Sequence, residues 1–299
     1  MRCCLLYRGV TVKADTAGGA RQRGLARLLA GILLLTVAVE AADLKPPAVE
    51  AFNRYAQLTE AQIDSAAALH EPFLWLDSLP EERRAAAYAE LHEGKMVIER
   101  LETLDGGKKI NVPGGLIHHW IGTVFIPGAT LGQTLALEKD YNHHQDYFRP
   151  DVVRSKVQQH EGSDYLVQLR FRKKKIITSV LDTEHHVHYG SVDSAKAWSR
   201  SYTTRIQEVV DAGESGERLE PEGHDRGFLW RMNTYWRFEE KDGGTYVESQ
   251  SVSLTRDIPA GLGWLVGPMV NSIPRESLTF TLATTRAAVL GRITPGKTR

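Results

Sequence analysis

A β-hairpin between Phe228 and Leu254 constrains the fold of this chain more than any other stretch. Two runs of aromatic and β-branched residues alternate between polar and apolar positions, and Asp242-Gly243 separates them. Asp-Gly favours a two-residue type I′ turn, in which both central residues need positive φ angles. Pairing Lys241 with Gly244 across this turn then fixes the register of the whole hairpin.

This register divides the hairpin into an apolar face and a polar face. The predicted pairs place Phe238 opposite Val247, Arg237 opposite Glu248, Trp236 opposite Ser249, and Tyr235 opposite Gln250. One face then carries Trp230, Met232, Thr234, Trp236, Phe238 and Val247, with the small residues Ser249 and Ser251 opposite the large ones. The other face carries Arg231, Asn233, Arg237, Glu248 and Gln250. Large side chains beside small ones leave room for a ligand on the apolar face.

A long helix is predicted after the hairpin. Apolar positions recur at helical spacing, at Leu278, Leu282 and Val289, and Pro274 suits the first turn. The segment from Ile258 to Val270 is rich in glycine but also contains Trp264 and Leu265, which are too apolar for a plain surface loop. We expect this segment to pack as the entry to the last helix, or to act as a lid.

A final hairpin, a loop rich in glycine and proline, and one long C-terminal helix resemble the end of a START-like helix-grip domain (SRPBCC, Bet v1-like). The resemblance covers roughly Leu116 to Leu290 and rests on element order and hydrophobicity. It implies an α+β fold in which a seven-stranded antiparallel sheet wraps around the C-terminal helix. It also implies an apolar cavity between the two, walled in part by Leu278 and Leu282, with Trp264 and Leu265 in a gate. The strand-like runs that complete the seven lie at 116–126, 152–160, 165–172, 176–189 and 197–210.

The N-terminal segment has the layout of a secretory signal peptide. Several basic residues precede an apolar run from Leu28 to Val39, and small residues follow near Ala41. We therefore expect export to the periplasm or the cell exterior; an uncleaved anchor is the alternative. The predicted division is a signal peptide at 1–41, a linker and helical extension with a short strand at 42–115, the START-like domain at 116–291, and a tail at 292–299.

Removal of residues 1–41 would change the charge and the cysteine content. The segment holds six basic and two acidic residues, so 31 basic and 35 acidic residues would remain of 37 each. This balance gives no reason to expect nucleic-acid binding, which needs a basic surface. Cys3 and Cys4 are the two cysteines of the chain. The exported protein would therefore have no disulfide, thiolate nucleophile or cysteine-bound zinc.

Several polar groups are candidates for a metal, catalytic or membrane-contact site. His186 and His188 would share a strand face, but no further ligand lies at a recognisable spacing, so we predict neither a metal site nor a cofactor. The run Arg172–Lys175 is basic; a solvated hairpin end is the ordinary interpretation, and a transient contact with anionic membrane lipid is the sharper one. No nucleophile motif is present. An alternative site is a polar array of Arg205, Asn233, Arg237, Glu248 and Gln250, which would bind a carboxylate or polarise a carbonyl if it faced the cavity.

These patterns favour non-enzymatic binding, and transfer, of a hydrophobic ligand such as a lipid or isoprenoid-like molecule. Two rivals remain. A cyclase- or aromatase-like enzyme, also similar to members of the superfamily, would use the polar array inside the cavity. A partner-binding structural protein would have a cavity filled by its own side chains.

Overall fold

A computed structural model of the protein describes residues 42–68, 72–174, 178–226, 228–258 and 263–293. Of residues 42, 66–68, 263–271 and 293 it describes the backbone alone. The predicted signal peptide lies outside the described residues. The helices are α1 (Pro46–Ala68), α2 (Glu81–His92), α3 (Leu131–Glu138), α4 (His144–Tyr147) and α5 (Gly263–Ile293), with 3-10 turns at Trp75–Ser78 and Tyr141–His143. The strands are β1 (Ala42–Asp43), β2 (Val97–Arg100), β3 (Leu104–Asp105), β4 (Lys108–Lys109), β5 (Gly115–Pro127), β6 (Val152–Glu161), β7 (Asp164–Lys174), β8 (Thr178–Ser191), β9 (Lys196–Val210), β10 (Arg218–Leu219), β11 (His224–Asp225), β12 (Arg231–Lys241) and β13 (Gly244–Arg256).

One large antiparallel sheet organises these elements. Its strand order is β2-β5-β13-β12-β9-β8-β7-β6, and the short β10 pairs with β9 beside this path. The seven strands predicted after residue 115 are all present, and β2 adds a further strand at one edge. The predicted α+β helix-grip arrangement of sheet and C-terminal helix is confirmed.

The β12–β13 hairpin has the predicted register. Lys241 pairs with Gly244, Phe238 with Val247, and Arg237 with Glu248. The turn residues Asp242 and Gly243 have φ angles of 56° and 75°, as a type I′ turn requires. The chemistry of two turn residues therefore decides which side chains point to each face of the sheet.

We call the face of the sheet that meets α5 the inner face. Val124, Phe238 and Val247 are fully buried there in one cluster with Leu278 and Leu282 of α5. The helix lies chiefly along β5, at one side of the sheet. It approaches closely because Gly122 has no side chain: a Cβ on Gly122 would lie 2.7 Å from Leu282 Cδ1 and 3.2 Å from Ile98 Cγ1.

The opposite, outer face of the sheet is covered by the N-terminal helices. Phe52 and Tyr55 of α1 pack with Tyr235, Val252 and Leu254. Helix α2 and the preceding 3-10 turn pack a second cluster on Phe125 and Tyr246. The described residues belong to one compact unit that begins at Ala41, so the extension is part of the same body as the sheet.

Two helix boundaries differ from the sequence prediction. Helix α1 begins at Pro46, within the segment 42–49, which its two adjacent prolines predict as an extended linker. Proline suits the first helical position because the N–H it lacks would have no partner there. Helix α5 begins at Gly263, so most of the predicted loop is helical, and Pro274 lies inside the helix. Proline removes one intrahelical hydrogen bond, and a long helix packed on a sheet tolerates that loss. Residues 259–262 lie outside the described residues.

Gly122→Ala tests the close approach of α5. We expect it to lower the free energy of unfolding by about 1–3 kcal/mol, because the added methyl group overpacks the contact with Leu282. Urea unfolding measures the change. Gly132→Ala in the exposed first turn of α3 is the control, and alanine should leave stability unchanged or raise it. Equal effects of the two substitutions would contradict the packing assigned to Gly122.

Candidate functional site

Strands β9, β12 and β13 repeat one pattern on the inner face. Ser199, Trp236 and Ser249 lie side by side on one cross-strand row. Ser201, Thr234 and Ser251 form the next row, and Met232 pairs with Ser253 beyond it. Large or branched side chains of β12 thus stand between small hydroxyl side chains on both neighbouring strands. This alternation leaves space on each side of Trp236 and Met232.

Part of the inner face remains accessible. Phe238 and Val247 are fully buried where α5 and α3 cover the sheet. Further along the same strand, Met232, Thr234 and Trp236 are only half-buried. On the neighbouring strands Trp120, Ser201 and Ser251 are half-buried as well. We call this accessible part of the inner face the groove.

The structure brings together most of the predicted ligand-binding residues. Met232, Thr234, Trp236, Phe238 and Val247 share the inner face. Leu278 and Leu282 face them from α5, but they pack directly at Gly122 and so form the helix–sheet contact. Trp264 and Leu265 lie in the first turns of α5, and their side chains are outside the description.

The face predicted for Trp230 is wrong. Its side chain is buried among Phe52, Val252 and Leu254 in the cluster under α1, and its Nε1 donates to Asp225 at 3.1 Å. Trp230 precedes the first residue of β12, so the alternation of the strand does not extend to it.

The polar array lies on the outer face. Glu248 is 1% exposed and accepts hydrogen bonds from Arg237 Nη1 (2.6 Å) and from the backbone N–H of Trp75 (3.0 Å). Gln250 hydrogen-bonds to His119 Nε2 (2.8 Å), while Tyr55 of α1 contacts Nδ1 of the same ring (2.9 Å). These groups hold the N-terminal extension on the sheet and do not reach the groove.

The two remaining members of the array are apart from that contact. Arg205 pairs with Glu184 at 3.3 Å and is exposed. Asn233 is buried, and its Nδ2 donates to the Tyr235 hydroxyl at 3.4 Å, under α1. The five residues therefore do not form one polar site.

Comparison with known proteins gives likenesses in structure alone. Neither a model of a protein family nor the sequence of a curated protein matches the chain. A STAR-related lipid transfer protein from Xanthomonas axonopodis is 16% identical, with 64% of this chain and 98% of that chain covered and a TM-score of 0.41. The Zhui aromatase/cyclase from Streptomyces sp. R1128 is 11% identical, with 62% and 100% covered and a TM-score of 0.42. A START superfamily protein from Mycobacterium smegmatis is 10% identical, with 60% and 99% covered and a TM-score of 0.36.

The fold is a helix grip. The strand order and the long C-terminal helix on the inner face carry this identification, which concerns architecture and not activity.

Two buried polar residues of the helix grip were missed by the sequence interpretation. His185 lies on the inner face; its Nε2 hydrogen-bonds to Thr183 Oγ1 (2.8 Å), and its Nδ1 lies 3.5 Å from Ser201 Oγ. Burial lowers the pKa of His185 to about 4, so its ring is uncharged at neutral pH. Strand alternation was the available signal, because it separates His185 from His186 and His188.

Glu138, at the end of α3, is the second missed residue. Its Oε1 accepts a hydrogen bond from Thr285 Oγ1 of α5 at 3.1 Å. Burial raises the pKa of Glu138 to about 7, and the bond from Thr285 opposes this rise. Tyr141 and Tyr189 lie beside it, with their hydroxyls 2.7 Å apart. The contact joins α3 to the helix that crosses the sheet.

The remaining sequence predictions concern metal ions, the membrane and the basic run. Among the described residues, no group of three His, Cys, Asp or Glu side chains is placed to hold a metal ion. No helix in the described ranges has both the length and the apolar composition to cross a bilayer. Of the basic run, Lys173 pairs with Asp151 at 2.5 Å, while Lys175 lies outside the described residues.

An open pocket of about 530 Å³ lies near the start of α1. It is lined by Leu44, Pro46, Val49, Glu50, Glu222, Gly223, His224 and Arg231. Two of its lining side chains already have partners, since Arg231 pairs with Glu222 and His224 with Asp43, both at 2.8 Å. The groove therefore remains the stronger candidate site.

Glu138→Gln tests the buried carboxyl group. Because the folded-state pKa exceeds the ordinary glutamate value of 4.5, the folded protein holds this proton more tightly than the unfolded chain. The stabilisation is fully present below pH 4.5 and is lost as the pH rises to about 7, by about 2–4 kcal/mol at 1.36 kcal/mol per pKa unit. Urea unfolding at pH 5 and pH 8 should show this loss in the wild type and a smaller one in Glu138→Gln. Glu161→Gln, at an exposed position, is the control; an unchanged pH dependence in Glu138→Gln would refute the assignment.

Arg237→Met tests the outer-face ion pair. It leaves the Glu248 carboxylate buried without its cation, so we expect a loss of about 3–5 kcal/mol in the free energy of unfolding. The double substitution Arg237→Met with Glu248→Met removes both charges and should recover part of this loss. Urea unfolding of both variants measures the coupling. An equal or greater loss in the double variant would show that the pair is not a buried, mutually dependent contact.

Proposed function

We propose that the protein binds a hydrophobic ligand in the groove between the sheet and α5, and that it acts by binding and carrying this ligand. The observation that supports the proposal is the half-buried apolar surface of Trp236, Met232 and Trp120 beside small hydroxyl residues on the inner face. Transfer of apolar ligand surface from water to such a surface is favourable by ~25 cal/mol per Å².

The form of the groove supports a bound molecule over a self-filled core. The buried cluster at Phe238, Val247 and Leu282 already supplies a packed contact between sheet and helix. The rows at Trp236 and Thr234 lie beyond it and keep accessible surface. Concave apolar surface with a few polar groups is the usual character of a small-molecule site.

The placement of polar groups favours binding over cyclase-like catalysis. Arg237, Glu248 and Gln250 point away from the groove and are engaged with the N-terminal extension. A group that acts on a substrate must come within hydrogen-bond distance of it. The proposal therefore assigns these three residues to folding and assigns the groove to ligand binding.

Trp236→Ala tests this function by titration with N-phenyl-1-naphthylamine, an uncharged apolar dye whose fluorescence rises in apolar surroundings. We expect saturable binding to the wild-type chain and a dissociation constant at least about 10-fold higher for the variant, equivalent to about 1.4 kcal/mol of lost contact. Trp198→Ala is the matched control, because Trp198 pairs with Arg237 and shares its outer face.

Thermal unfolding of each variant checks that it is folded at the titration temperature. Absence of saturable dye binding by the wild type would overturn the proposed function. Equal weakening by Trp236→Ala and Trp198→Ala would show that the dye does not occupy the groove.

A further inference from the structure

The floor of the groove carries hydroxyl groups in a regular arrangement. Ser199 and Ser201 of β9 lie on one side of β12, and Ser249, Ser251 and Ser253 of β13 lie on the other. Thr234 stands between them, opposite Ser201 and Ser251. Hydroxyls therefore flank the apolar side chains of β12 on successive rows; Ser201 and Ser251 are half-buried in the groove, and Ser199, Ser249 and Ser253 are buried beside it.

One of these hydroxyls is buried without a partner. Ser249 is 1% exposed, and its Oγ has no hydrogen-bond partner within the part of the chain that the structure describes. It lies between Trp236 and Gly122, in the row where the groove meets α5. A buried hydroxyl without a partner is unfavourable by ~1–3 kcal/mol, so an acceptor or donor supplied by a ligand would remove a real cost.

On β9, β12 and β13 the rows contain no charged side chain; the row of Ser251 and Trp120 ends at the edge of the sheet with the exposed Arg100 of β2. Serine, threonine, methionine and tryptophan occupy them, and the neighbouring His185 hydrogen-bonds to Thr183 and lies near Ser201. The charged pair of Arg237 and Glu248 is on the outer face of the sheet. A carboxylate or phosphate over the serine rows would lose its hydration while the cation of that row, Arg100, stands two strands away from Ser251, which is unfavourable.

We propose that the ligand is an uncharged amphipathic molecule with an apolar body and several hydroxyl or carbonyl oxygens, which the serine rows of β9 and β13 recognise. This inference rests on the proposed function and names the chemical class of its ligand. Trp236 and Met232 contact the apolar body, while Ser249 and Ser251 exchange hydrogen bonds with its oxygens. Selectivity then comes from pairing the Ser249 hydroxyl, which is otherwise buried and unsatisfied.

The test compares three lauroyl compounds that share one apolar chain: glycerol monolaurate, methyl laurate and laurate. Each is titrated against N-phenyl-1-naphthylamine bound to the full-length protein, below the concentration at which that compound aggregates or separates from solution. We expect glycerol monolaurate to bind at least about 10-fold more tightly than methyl laurate, and laurate more weakly than glycerol monolaurate. The double variant Ser249→Ala with Ser251→Ala should weaken glycerol monolaurate at least about 5-fold and leave the dye and methyl laurate within about 2-fold. Ser163→Ala, in an exposed turn, is the control and should change nothing.

Ser249→Ala alone gives a second, ligand-free readout. Loss of an unsatisfied hydroxyl should raise the melting temperature by about 2–4 °C, whereas a fall would show that Ser249 is already satisfied and would overturn its role.

The outcomes separate the two proposals. Dye binding with equal displacement by the two esters, tightest binding by laurate, or equal effects of the double variant on both esters would overturn the ligand class and leave the groove as a binding site. No dye binding by the wild type would overturn the proposed function itself.

Discussion

The register of a single hairpin determines what each face of this sheet can do. Asp242 and Gly243 adopt positive φ angles, and Lys241 pairs with Gly244. A slip of one residue would send Arg237 and Glu248 toward α5 and Trp236 toward the N-terminal helices, because the side-chain period of a strand is two. The helix contact at Gly122 and the seat of α1 on the outer face both depend on this one pairing.

The two faces of the sheet differ in how their polar groups are paired. On the outer face, buried charge and polar side chains are matched with partners: Glu248 with Arg237 and the Trp75 backbone, and His119 with Tyr55 and Gln250. Matching is needed there because an isolated buried charge is strongly unfavourable. On the inner face, small hydroxyl residues beside large apolar ones leave accessible surface and at least one unsatisfied oxygen, that of Ser249. The arrangement on the outer face is typical of a contact that stabilises the fold. The arrangement on the inner face is typical of a small-molecule binding surface.

Local pattern predicted much of this architecture. Alternation and turn chemistry predicted the register of β12 and β13, and the apolar stripe predicted the contact of Leu278 and Leu282. Alternation failed at Trp230 because a strand rule does not apply before the strand begins, and α5 extends further toward its N-terminus than Pro274 indicated.

Local sequence pattern did not predict contacts between residues that are far apart in the chain. Trp75 meets Glu248 across 173 residues, and Glu138 meets Thr285 across 147. Neither pair has a spacing or a composition that marks it in the sequence. The hydroxyl rows depend in the same way on the pairing of β9 with β12, which local pattern does not predict.

Helix α1 packs on the outer face of the sheet, on the opposite side from the groove. Arg54 donates two hydrogen bonds of 2.8 Å to Asp105, and Thr59 Oγ1 lies 2.8 Å from Thr103 Oγ1, so these contacts of α1 lie away from the groove. Met232 and Ser251 take no part in them. Under the proposed function, replacements at these two positions would change which ligand binds while the contacts of α1 stay intact.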